Sequence, residues 1–154
     1  MSQRDPTVSA VPKYAEDMES AEQSAVASRE CQDLAYSVFA RDCPSRGTLE
    51  HITGRWGALT LGGLHDGTFR FNELRRRVDG VSEKMLSQTL QALERDGLVH
   101  RDAQPTNPPR VDYTLTPLGR EVTRHLQALI HSVEGRMDDV LESRERYDEA
   151  RRKS

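Results

Sequence analysis

No run of 18 apolar residues occurs anywhere in the 154-residue sequence, which excludes a transmembrane helix. No hydrophobic segment follows the N-terminus, so neither a secretory leader nor membrane attachment is expected. With only two cysteines, Cys31 and Cys43, a disulfide-dense framework is excluded and the expected compartment is a reducing cytoplasm. Five histidines show no metal-ligand spacing with each other or with the cysteines, so no metal is expected. There is no phosphate loop, no G-x-S-x-G and no dinucleotide fingerprint; nothing organises an enzyme or calls for a cofactor. Apolar content is also scarce: 35% hydrophobic against 31% charged predicts loosely packed ends around a smaller core.

The net charge is −3, which over the whole chain disfavours nucleic acid, but it is unevenly spread. Residues 1–42 carry −4, residues 43–113 carry +1 and residues 114–154 balance to zero. Within the mildly basic middle, Arg75, Arg76 and Arg77 form a local positive block.

Residues 1–28 hold Pro6, Pro12 and few large apolar side chains, and are expected to be largely disordered. Over 29–42, Cys31, Leu34, Ala35, Val38 and Phe39 share one helical face, predicting an N-terminal helix that Cys43-Pro44 breaks. Leu49, Ile52, Trp56, Leu59 and Leu61 predict helical burial through about Leu64, weakest at Gly54 and Gly62-Gly63. Phe71, Leu74 and Val78 then mark a short helix, and Asp79-Gly80 a turn. Ser82 is placed to cap a second helix with a buried stripe of Met85, Leu86, Leu90 and Leu93, ended by Gly97. This is helix-turn-helix spacing. Strand-like runs at Leu98–Arg101 and Arg110–Leu115, joined by the proline-rich 102–109, add a two-stranded wing.

Thr116 and Pro117 open a further helix. It carries Leu118, Val122, Leu126, Leu129, Ile130, Val133 and Met137 in steps of three and four, the pattern of a helix that packs on a partner helix. A small winged domain has little free surface for so long a stripe, so residues 116–142 are expected to dimerise, with 143–154 a fraying charged tail. The expected fold is mainly α with a small β wing: a winged helix-turn-helix over 43–115, dimerised through its N- and C-terminal helices.

Several blocks carry a resemblance over about half the chain. They are Cys43-Pro44, Gly54-Arg55-Trp56, Phe69-Arg70-Phe71-Asn72-Glu73-Leu74, Val81-Ser82-Glu83-Lys84-Met85-Leu86, Leu93-Glu94-Arg95-Asp96-Gly97-Leu98-Val99 and Pro108-Pro109-Arg110-Val111-Asp112-Tyr113-Thr114-Leu115-Thr116. In order and separation they resemble the HxlR-type branch of bacterial winged-helix transcription regulators, related to the MarR type. The resemblance implies a homodimer on a pseudo-palindromic double-stranded DNA operator, often repressing oxidoreductase or detoxification genes. It also implies, for some members, a response to quinones, aldehydes, hypochlorite or disulfide stress through a cysteine at the position of Cys43. The N-terminal extension with Cys31 lies outside the family pattern.

The residues supply their own chemistry beside the resemblance. The buried stripe of the capped helix leaves Glu83, Lys84, Ser87, Gln88 and Gln91 outward, and Ser82 at its start. Glutamine can pair bidentately with adenine, while serine and lysine serve bases or phosphates. Arg75, Arg76 and Arg77 end the preceding helix, where the DNA backbone is expected to cross, although all three cannot point one way. Arg110 at the wing loop reaches toward a minor groove or phosphate, or else pairs with Asp112 or Asp102. Cys43 precedes a helix start, with Arg41 and Arg46 nearby, an arrangement that favours thiolate. The alternative is a buried structural cysteine; Cys31 is either a small buried hydrophobe or a partner that resolves oxidised Cys43. Two other readings remain: a small aromatic inducer held non-covalently in the dimer cleft near Trp56, or a protein-interaction module that does not bind DNA.

Overall fold

A computed structural model describes residues 36–154. The chain divides into two units, Met1–Arg46 and Gly47–Ser154. In the described part of the first, residues 36–42 form turns rather than helix. Backbone bonds from Ala40 to the Ser37 carbonyl (3.0 Å) and from Cys43 to the Ala40 carbonyl (3.2 Å) close two successive four-residue turns. The helix expected over 29–42 is therefore absent from 36–42, and its apolar Phe39 is exposed. Cys31 and the extension 1–28 lie outside the described residues.

Helix α1 spans Pro44–Thr53, with proline at its first position, where the missing N–H costs nothing. Gly54 adopts an extended conformation (ψ 154°) and separates it from α2, Arg55–Gly63. The two helices cross closely: a Cβ on Gly57 would stand 1.8 Å from the His51 carbonyl oxygen. After a turn come β1 (Phe69–Arg70), α3 (Phe71–Arg77) and α4 (Glu83–Arg95). Strands β2 (Val99–Gln104) and β3 (Arg110–Leu115) form the wing, paired antiparallel from Val99↔Leu115 to Gln104↔Arg110. β1 pairs with the other side of β3 through Phe69↔Tyr113 and Arg70↔Asp112, giving the order β1-β3-β2. Two residues are too few to show strand alternation, which is why β1 does not appear in the sequence pattern.

Leu61, Leu64, Leu74, Leu86, Leu90, Leu93 and Leu98 are buried to 1% exposure or less. Val78, Val81, Val99, Tyr113, Leu115 and Leu126 complete the core, so α2, α3, α4 and the wing strands contribute apolar faces to one cluster, with Ile52 of α1 partly buried against it. Each such side chain stabilises the fold by roughly 1.5–3 kcal/mol. Met85, expected in the buried stripe, is 39% exposed: it lies on the flank of α4, off the leucine face.

Helix α5 spans Pro117–Glu134 and α6 spans Met137–Arg152. The helix expected over 116–142 is thus two, separated at Gly135 and Arg136, where the backbone bond from Arg136 to Val133 tightens the end of α5. The tail expected to fray beyond Glu142 is helical to Arg152. Charge placement explains it: Asp138 and Asp139 sit in the first turn, Arg151 and Arg152 in the last, and Arg146 donates to Glu142 (3.4 Å) one turn away. No helix among the described residues is long and apolar enough to cross a membrane. Helices packed on a small sheet, with a helix-turn-helix followed by a two-stranded wing, make this a winged helix-turn-helix.

Candidate nucleic-acid interface

The outward face of α4 follows from how the helix is seated. Ser82 adopts an extended backbone and its Oγ accepts the Met85 N–H (3.1 Å), satisfying one of the unbonded amides of the first turn. Gly97, at φ +74°, ends the helix in the left-handed conformation that glycine adopts without steric cost. Between these stops Leu86, Leu90 and Leu93 anchor one side. At about 100° per residue, Lys84, Ser87, Gln88 and Gln91 fall within an arc of about 100° on the other side. Lys84, Gln88 and Gln91 are exposed and Ser87 is half-buried. Their amides, ammonium and hydroxyl form a compact set of donors and acceptors on a rigid element.

The three arginines of α3 diverge. Arg75 donates to Glu83 Oε1 (3.0 Å), at the start of α4. Arg77 is held by Asp66 and lies over the Phe69 ring, 4.6 Å from its centre. Arg76 is exposed, with no ion pair among the described residues, and lines a groove of about 770 Å³ with Arg70, Asn72 and the wing loop. Sequence reasoning passed over Arg70 and Asn72, because their approach to the wing depends on the β1–β3 pairing. Arg110 is tied through Nε to both carboxylate oxygens of the nearly buried Asp112, each at 3.0 Å. Its terminal nitrogens make no hydrogen bond among the described residues, so the pairing fixes the stem and leaves the guanidinium edge on the groove.

Thr116 joins this face to the C-terminal helices. Its Oγ1 accepts the Gly119 N–H (3.0 Å) and donates to the Gly97 carbonyl (2.6 Å), while its N–H bonds the Leu98 carbonyl (3.0 Å). A Cβ on Gly119 would lie 1.9 Å from that same Leu98 oxygen, so only glycine permits the contact. A second tie, from His51 Nδ1 to Asp96 Oδ2 at 2.6 Å, links α1 to the C-terminal end of α4. The Thr116 cap is legible in the sequence, but its tie to Gly97 and the His51–Asp96 pair are not.

The apolar residues of α5 separate into two stripes. Gly119, Thr123 and Leu126 are buried in the domain's own core, and Ile130 meets Gly62. Leu126 is therefore turned into the core rather than onto a free seam, contrary to the sequence expectation, while Ile130 is partly buried beside Gly62. Leu118, Leu129 and Val133 are about half exposed (51%, 57% and 50%) and Val122 lies partly buried beside them. Met137 on α6 is half-buried, and Leu141 and Tyr147 are exposed.

In the first unit, Cys43 Sγ lies 3.1 Å from Ser45 Oγ and accepts the Ser37 N–H (3.3 Å). The Ser45 hydroxyl, then the Ser45 and Ser37 backbone amides, hold the thiol pKa below its ordinary value against desolvation and the charge of Asp42. The lowering comes from hydrogen bonds, chiefly from Ser45 in the first turn of the helix that Cys43 precedes, and not from Arg41 or Arg46. Among the described residues no cluster of three His, Cys, Asp or Glu side chains is placed to hold a metal ion.

A capped helix with a polar outer face, preceded by an arginine-rich helix and followed by a wing, defines a DNA-binding helix-turn-helix protein. The HxlR-like helix-turn-helix family model matches residues 51–140, and the chain belongs to that family, one of transcriptional regulators and not of enzymes. It is 51% identical over 109 residues to the HTH-type transcriptional regulator YtfH of Escherichia coli (strain K12), itself uncharacterized, covering 71% of this chain and 86% of the relative. The solved structure of YtfH from Salmonella typhimurium is similar with a TM-score of 0.68 and 52% identity, over 71% of this chain and 98% of that one. The redox regulator HypR is similar in its oxidised form (TM-score 0.56, 36% identity, 60% of this chain and 96% of that one). Its reduced form gives 0.58 and 38%, over 65% and 98%.

Proposed function

We propose that this regulator is a homodimeric repressor that reads a pseudo-palindromic operator in double-stranded DNA and releases it when an oxidant or electrophile modifies Cys43. The outer face of α4 carries the reading: Lys84, Ser87, Gln88 and Gln91 are presented together by a helix fixed at both ends. In the major groove Gln88 and Gln91 meet base edges, while Lys84 and Ser87 meet bases or phosphates. Ser82 contributes chiefly by holding the helix start, since its Oγ is engaged as the cap. Arg76, with Arg75 and Arg77 beside it, meets the backbone, and Arg110 meets it from the wing.

Dimerisation is supported by the exposed stripe of Leu118, Leu129 and Val133, with Val122 partly buried between it and the core, continued by Met137 and Leu141 on α6. Exposed apolar side chains in a helical row gain most by covering a second copy of themselves. Cys43 is the sensor because its hydrogen bonds favour the thiolate, the form that attacks disulfides and electrophiles. A mixed disulfide or sulfenic acid at the start of α1 then changes the spacing of the two recognition helices. Similarity to HypR, solved in oxidised and reduced forms, supports this chemistry.

The test is a gel shift with DNA from directly upstream of the protein's own gene. The wild type is expected to form a retarded complex that unlabelled random duplex does not displace, and Gln88→Ala to lose that discrimination while still binding. Mild oxidant should release the wild type but not Cys43→Ser. Equal discrimination in Gln88→Ala would refute α4 readout; equal release of Cys43→Ser would refute thiol control.

A further inference from the structure

Arg55 plays no part in the contacts assigned above, and its placement is unusual. Its guanidinium lies 4.9 Å from the centre of the Trp56 ring, an attraction that orients the planar head without neutralising it. It is exposed and makes no ion pair among the described residues. Arg55 and Trp56 line a cleft of about 310 Å³ whose other wall includes Met85, Gln88, Thr89 and Ala92 of α4.

The two edges of α4 therefore each carry a cation. Taking Glu83 as the origin, at about 100° per residue, the polar face centres near 90° and Arg75 is bound to Glu83 at one edge. Ala92, Met85 and Thr89 fall at roughly 180–240°, so the Arg55 cleft borders the opposite edge. The major groove is about 12 Å wide, and a helix with its side chains measures about 10–12 Å across. A helix lying in the groove has one sugar–phosphate wall on each side. Met85, 39% exposed on this flank of α4, lines the cleft on the Arg55 side.

We infer that Arg55 binds a DNA phosphate on the groove wall opposite the one met by Arg75 and Arg76, so that cations grip the recognition helix from both flanks. This rests on α4 lying in the major groove. Arginine suits the role: its charge is permanent, and the planar fork stacked on Trp56 is oriented before DNA arrives.

The test measures binding of the full chain to a fluorescent 30-base-pair duplex of arbitrary sequence by anisotropy, across a salt series. Arg55→Ala is expected to bind several-fold more weakly, with a slope of log affinity against log salt shallower by about 0.9 for each Arg55 on a phosphate. Arg55→Lys should keep the wild-type slope, and neither should move the thermal midpoint. Should the alanine variant be destabilised, Arg55→Gln keeps the aliphatic stem and carries the same expectation. Wild-type affinity and slope in Arg55→Ala, with both reduced in Arg76→Ala, would overturn the Arg55 contact alone. A wild type with no salt-dependent affinity for the duplex would overturn the groove-bound α4 together with it.

Discussion

Thr116 fastens the end of the recognition helix to the start of the helix proposed to dimerise, and its replacement by valine measures that junction. The substitution keeps the branched shape and removes a single oxygen that makes two bonds: acceptance of the Gly119 N–H at 3.0 Å and donation to the Gly97 carbonyl at 2.6 Å. Loss of a helix cap costs about 1 kcal/mol. Loss of the second bond adds about 1 kcal/mol, toward the low side because Gly97 is exposed and water can replace the donor. The sum is about 2 kcal/mol, which for a domain of this size lowers the thermal midpoint by roughly 8–10 °C. Thermal unfolding followed by circular dichroism at one fixed protein concentration reads this directly, the fixed concentration being needed if the folded species is a dimer. Thr116→Ser retains the oxygen and should stay within about 0.5 kcal/mol of the wild type. A valine variant as stable as the wild type, or a serine variant as damaged as the valine one, would refute the two-bond junction.

Two further perturbations probe the remaining parts. Leu129→Asp places a charge on the exposed stripe of α5 and should yield a species of the 17.4 kDa chain mass by sedimentation, where the wild type is expected to sediment at twice that. Leu126→Ala, from the buried stripe, should instead lose about 2–5 kcal/mol of stability; a dimeric Leu129→Asp would place the interface elsewhere. The rate of Cys43 alkylation should fall, as pH is lowered, at a midpoint below that of a free cysteine, because the lowered pKa keeps thiolate present further into acid. Ser45→Ala should move that midpoint up, and an unchanged profile would remove the serine as the cause.

The parts of the fold legible in the sequence are those governed by local rules. Ser82, the Leu86-Leu90-Leu93 spacing and Gly97 bound α4 from both ends, and the alternation of Val111, Tyr113 and Leu115 announces β3. Periodicity alone could not divide the apolar row of α5, since both the core stripe and the open stripe recur every three or four residues. Only packing turns Leu126 inward and leaves Leu129 outside. The helix of the charged tail escapes composition for a related reason: composition registers the Arg and Glu content of α6 but not the one-turn spacing that stabilises it. The partners of Arg75 and Arg77, the serine cradle of Cys43 and the position of Arg55 beside α4 are set by tertiary or turn geometry rather than by a motif, whereas Arg110 meets Asp112, two residues along the same strand, as one sequence reading has it.

The most direct test of a paired recognition helix reading DNA is selection from a random duplex library by the reduced, full-length protein, followed by sequencing of the bound pool. The expected product is an inverted repeat whose half-site centres are separated by about 10–10.5 base pairs, or a multiple, as two symmetry-related helices in successive major grooves require. A bound pool with no enriched sequence, or with a lone unrepeated half-site, would contradict it.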